Sequence, residues 1–80
     1  MEKYFMIHKA DEPKSKGYLS PWRGQGNREF LWDSIRHAYL FDENSLTNEN
    51  VISFLNGVSY QVVNIENDAA NILYKYHERY

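Results

Sequence analysis

Cysteine is absent from this chain. Small secreted domains usually need disulfide staples, so a reducing cytoplasm is the expected setting. Any zinc site would have to be built without thiolates. Long apolar runs are also missing. None exceeds four residues, as in Ala38 to Phe41, whereas a membrane-spanning helix needs about 20. The opening MEKYFMIHKA has neither the apolar stretch nor the cleavage site of a secretory leader, so none is expected. Positive charge is missing from a long interval, with no Lys or Arg between His37 and Tyr74. Residues 1–36 carry a balance of +2 and residues 37–80 a balance of −4, for a net charge of −2. Neither half has the charge density of a nucleic-acid-binding tail or a nucleic-acid mimic.

Aromatic residues are plentiful: seven Tyr, four Phe and two Trp. A chain of this length buries only about 60–65% of its unfolded surface. Large aromatic side chains compensate for that, so one folded domain spanning residues 1–80 is expected. Glycine and proline are few and gathered. Gly17 to Phe41 holds three of the four glycines, one of the two prolines and both tryptophans. No internal repeat or low-complexity segment occurs.

Residues 3–9 (KYFMIHK) read as a strand with Phe5 and Ile7 on the core face. DEPKSKG is a loop, and Tyr18-Leu19-Ser20 returns as a short second strand that Pro21 ends. Trp22 to Asn27 (WRGQGN) is a turn. Its G-x-G lacks the third glycine and the frame of a phosphate loop. Residues 28–32 (REFLW) form either a third strand, followed by a helix capped at Asp33 or Ser34, or the start of a helix running from Asn27 to Phe41. Ile35, Ala38 and Tyr39 share a helical stripe in both readings. Thr47 caps a short helix over 50–56 with Val51 and Leu55 on one face, stopped by Gly57. VSYQVVNIE, residues 58–66, is the clearest strand. Its apolar residues on both faces predict an interior place in the sheet. Asn67 or Asp68 caps a last helix over 68–80. The order is β-β-(β)-α-α-β-α: an α+β fold, a small antiparallel sheet with helices packed on one face.

Taken together, Tyr4, Ile7, Gly17, Tyr18, Leu19, Ser20, Trp32, Ser34, His37, Ala38 and Tyr60 to Glu66 form a pattern that resembles a class of very small bacteriophage proteins. These combine a short hairpin, a W-x-S-x-x-x-A helix start and a late VVxIE-type strand. The resemblance covers about three quarters of the chain and rests on short structural motifs. It implies a phage or prophage origin and a non-enzymatic protein that binds host proteins, including defence and transcription machinery, in the host cytoplasm.

The residues themselves point the same way. His8, His37 and His77 are the only histidines and have no metal-ligand spacing, so neither metal nor cofactor is expected. Asp33 and His37, four apart, would face one way on a helix and could orient a general base, but no nucleophile accompanies them and no catalytic residue is assigned. Tyr18, Trp22, Arg23 and Arg28 are the candidate partner-binding residues, because Trp, Tyr and Arg dominate interface energetics and loops present side chains outward. An equal reading folds Trp22 back to cap a small core, and Trp32 reads as core. The alternative function is a nucleic-acid-binding accessory protein using the same aromatic and Arg side chains; the net charge weighs against it. A host protein is the expected partner, with no membrane, and the chain is a monomer or a homodimer.

Overall fold

Four strands form one antiparallel sheet, β1 (Tyr4–Lys9), β2 (Tyr18–Pro21), β3 (Phe30–Asp33) and β4 (Tyr60–Ile65), in the spatial order β3-β2-β1-β4. Among the described residues, one helix, α1 (Glu49–Leu55), and two 3₁₀ turns (Ile35–His37 and Ser45–Thr47) accompany the sheet. The structure is a computed structural model and describes residues 3–65 and 77–80. The predicted last helix, 68–80, lies outside the described residues over 68–76. Its expected end, residues 77–80, is not helical, and Arg79 bridges in parallel to Leu40. No helix among the described residues is long and apolar enough to cross a membrane.

The sheet is covered on both faces at β1 and β2. Ile7, Leu19 and Phe30 pack with Phe41, Val51 and Leu55 on the face that α1 covers. Tyr4, Met6, Tyr18 and Ile65 pack with Ala38 and Leu40 on the other. Ile7 therefore occupies the expected core face, while Phe5 beside it is only half-buried. The expectation of a single core face on β1 is corrected, because Tyr4, Met6 and His8 are buried as well.

The third strand forms, over Phe30–Asp33 rather than 28–32, but the helix expected after it does not form. Its place is taken by the 3₁₀ turn and an extended segment. Tyr39 N–H donates to the Leu19 carbonyl at 2.9 Å, and Phe5 and Phe41 exchange backbone bonds of 2.8 and 2.9 Å. The segment thus enters the sheet where β1 and β2 diverge beyond the pairing of His8 with Tyr18. Ala38 and Leu40 point into one cluster, with Tyr39 and Phe41 in the other. That is the alternation of a strand. Ile35, first residue of the supposed helical stripe, is 40% exposed.

β4 is also corrected. Among the described residues it pairs with β1 alone, from Tyr4 with Ile65 to Lys9 with Tyr60, and lies at the edge. The cap of α1 is Asn48 rather than Thr47: its side chain accepts the Asn50 N–H at 2.9 Å. Thr47 instead donates its hydroxyl to the Asn44 carbonyl. Gly57 follows with φ of 77°, the left-handed stop expected there.

Asp42 and Ser45 close the turn that leads to α1. The Asp42 carboxylate accepts the Ser45 N–H at 2.7 Å, and the Asp42 N–H donates to Ser45 Oγ at 2.8 Å. The Ser45 backbone bond, then its side-chain bond, hold the Asp42 carboxyl below its ordinary value of 3.8. Folding thus favours the carboxylate, so this stabilisation is complete above that ordinary value and is lost as pH falls through the lower folded one. Asp42→Ala is expected to lower Tm by about 3–6 °C at pH 7, a normal loss for a deleted capping side chain in a domain of this size. Thermal melts followed by circular dichroism should show the gap narrowing as the pH falls below the ordinary carboxylate value.

Candidate interaction surface

The loop between β2 and β3 begins as a continuation of their ladder. Trp22 N–H donates to the Glu29 carbonyl at 3.1 Å. The Trp22 ring then turns back over its own loop, with Nε1 donating to the Gln25 carbonyl at 3.2 Å. A Cβ at Gly24 would stand 2.9 Å from the ring's Cζ2, so glycine lets the indole lie against the backbone. The Arg28 guanidinium sits 5.2 Å from the ring centroid, within cation–π range. Trp22 is half-buried, while Arg23 and Arg28 are exposed. Arg23 reaches Glu78 at 3.8 Å with both side chains more than half exposed, a pairing worth little in water.

The structure therefore brings Trp22, Arg23 and Arg28 together at one hairpin tip. Tyr18 does not join them. It stands at the far end of β2, 5% exposed, with its ring 4.6 Å from that of His8 and its hydroxyl donating to the Lys14 carbonyl at 2.8 Å. Burial raises its pKa. β2 is buried on both faces, so Tyr18 lies in the core whichever face its side chain takes.

Next to the tip, β3 and α1 enclose an open cleft of about 700 Å³, lined among others by Arg28, Leu31, Trp32, Ser53 and Phe54. Trp32 and Phe54 meet with ring centroids 5.5 Å apart, and Trp32 is half-buried at the rim. The bond from Trp22 to Glu29 sets the ladder parity: Leu31 and Asp33 face β2. Phe30 and Trp32 therefore direct their N–H and C=O groups toward the free edge of β3. Trp32 and Phe54 were not among the sequence candidates. Phe54 lies three residues after Val51, and helical spacing alone marks it as flanking the core stripe; only the packing shows which side of it is open.

The C-terminal residues tie this region down. The Tyr80 hydroxyl donates to Glu29 Oε1 at 2.9 Å and lies 3.2 Å from Asn48 Oδ1, the cap of α1. Its ring packs against Phe30, Tyr39 and Phe41. Burial, followed by the bond to Glu29, raises the Tyr80 pKa. Burial also raises that of Tyr39, with Glu78 and Glu29 adding to it.

The histidines are dispersed. His8 Nε2 bonds the Pro13 carbonyl at 3.0 Å, and His77 Nε2 the Ile35 carbonyl at 2.6 Å. Because no helix spans Asp33 and His37, the proposed orienting pair does not form as drawn. Asp33 Oδ1 instead accepts the Ser34 N–H at 2.7 Å. Among the described residues, no group of three His, Asp or Glu is gathered as a metal site would require. No family model, curated protein or solved structure matches the chain.

Proposed function

We propose that this chain is a small non-enzymatic protein of bacteriophage type that binds a host protein and inhibits or redirects it by occlusion. The observation that carries the reading is the Trp22–Arg28 stack, held by bonds within its own loop and continuous with the Trp32–Phe54 cleft. An aromatic side chain already held in place loses little entropy on binding. Trp and Arg at such positions are the residue types that dominate interface energy. The fitting partner surface presents an apolar side chain to the cleft and a carboxylate to Arg28.

Affinity capture from host lysate with the purified chain tests this. Trp22→Ala and Arg28→Glu are each expected to weaken capture of one specific protein by about 30-fold, the effect of removing a hot spot worth about 2 kcal/mol, while circular dichroism stays unchanged. Equal capture by both variants and the wild type would overturn the assignment of this surface. Salt-sensitive binding of a labelled single-stranded oligonucleotide, abolished by the same variants, would favour the nucleic-acid reading instead.

A further inference from the structure

The free edge of β4 presents a surface that the hairpin tip does not use. Ala10 N–H donates to the Ser59 carbonyl at 2.9 Å, and the pairing register runs on through His8 with Gln61, Met6 with Val63 and Tyr4 with Ile65. Those β4 residues face β1, so Tyr60, Val62 and Asn64 direct their N–H and C=O groups away from it. No strand among the described residues lies on that side. The side chains are open on both faces, with Tyr60 43%, Val62 47% and Val63 37% exposed.

Proteins normally guard such an edge with a Lys, a Pro, a bulge or an inward charge. β4 has none of these. Its six residues, YQVVNI, carry no charge and no proline, and the interval without Lys or Arg runs through it. The pattern is also self-complementary. An antiparallel copy of the same edge, with the two-fold axis at Val62, sets Val62 against Val62 and Tyr60 against Asn64. All three outward-facing residues are then engaged, with about two bonds per opposed pair. Gln61 falls opposite Val63 on the other face, so no like charges meet. β3 offers a poorer edge, since Phe54 of α1 flanks it at Trp32 and Asp33 lies within it.

We infer that β4 pairs edge to edge with β4 of a second copy, making a two-fold dimer with one continuous eight-stranded sheet. The contact is isologous, so it closes at two copies and leaves no β4 edge over. It involves a single strand from each side, at the small end of specific interfaces, and the dimer dissociates at micromolar concentrations.

Sedimentation velocity of the full chain, from about 1 μM to about 1 mM, covers the range in which such an interface dissociates. The wild type is expected to pass from monomer to dimer. Val62→Pro leaves the β1–β4 ladder intact, because the N–H it removes faces outward. It should weaken the dimer about tenfold or more, as two inter-chain bonds vanish together. Val62→Lys opposes like charges on the axis and should weaken it similarly; it decides the matter if the proline variant fails to fold. In the cysteine-free chain, Val62→Cys should form a disulfide-linked dimer under mild oxidation, whereas Ile52→Cys, exposed on α1, should not. A wild type that stays monomeric at the highest concentration would overturn the inference, whether or not another protein's strand pairs there. So would a dimer indifferent to Val62→Lys, or equal cross-linking at position 52.

Discussion

Phe41→Ala is expected to destabilise the protein by about 3–5 kcal/mol, the usual cost of emptying a buried aromatic site. Phe41 is fully buried and is among the largest side chains that see no solvent. It packs in the cluster with Ile7, Leu19 and Val51, with Tyr39 and Tyr80 rings at 5.8 and 5.3 Å. The backbone bonds between Phe41 and Phe5 need no side chain and survive the substitution. The loss therefore comes from removed apolar contact and from a cavity at the junction of β1, β2 and the C-terminal residues. A domain of this length has about 4–12 kcal/mol in total, so much of its stability rests on this one ring. Urea unfolding should show a sharply lower midpoint. Ile35→Ala makes the contrast. On a core helix it would cost nearly as much, but at 40% exposure it should cost about 1 kcal/mol or less.

Gly17→Ala is expected to be the second most damaging of the substitutions considered, at about 2 kcal/mol or more. Gly17 has φ of 76°, in the left-handed region that costs an L-residue about 1–2 kcal/mol. The added Cβ would also stand 2.5 Å from Glu12 Cβ, so the loop backbone must shift. That shift disturbs the 2.7 Å bond from Lys9 N–H to the Gly17 carbonyl, which begins the pairing of β1 with β2. Gly57 is the internal control. Its φ is 77°, but a Cβ there meets nothing within 4 Å, so Gly57→Ala should cost only the conformational term. Parallel chemical denaturation of the two variants separates strain from collision. Equal losses would show that the contact with Glu12 relaxes without cost.

Much of the chain is legible because local chemistry and tertiary structure agree. Strands over 4–9, 18–21 and 60–65 follow from β-branched and aromatic content between turn residues. The helix ending at Leu55 follows from Val51 and Leu55 one turn apart and a glycine stop. The 35–41 segment is not legible in this way. Ile35, Ala38 and Tyr39 fit a period of 3.6, while Ala38 to Phe41 fit a period of 2 equally well, and a short apolar run does not choose between them. The open gap between the diverging ends of β1 and β2 chooses, because its unpaired backbone groups take up an extended segment. The place of β4 is hidden for a related reason. Apolar residues on both faces suit an interior strand, and only the assembled order shows that one neighbour is present. For the candidate surface, residue type singles out Trp22, Arg23 and Arg28 but also Tyr18, since type carries no information on direction.

The sequence by itself determined the α+β composition, the hairpin with its glycine turns, the short helix with its glycine stop and the want of any cysteine or metal-ligand spacing. These depend on backbone preference and residue chemistry within a few positions of each other. The tertiary structure alone decided that residues 38–41 enter the sheet, that Tyr18 turns inward while Trp22 and Arg28 meet at the tip, and that β4 has a neighbour on one side only among the described residues. Each of these depends on which distant segment supplies the missing hydrogen bonds and covers the remaining apolar surface, and a local pattern does not encode that.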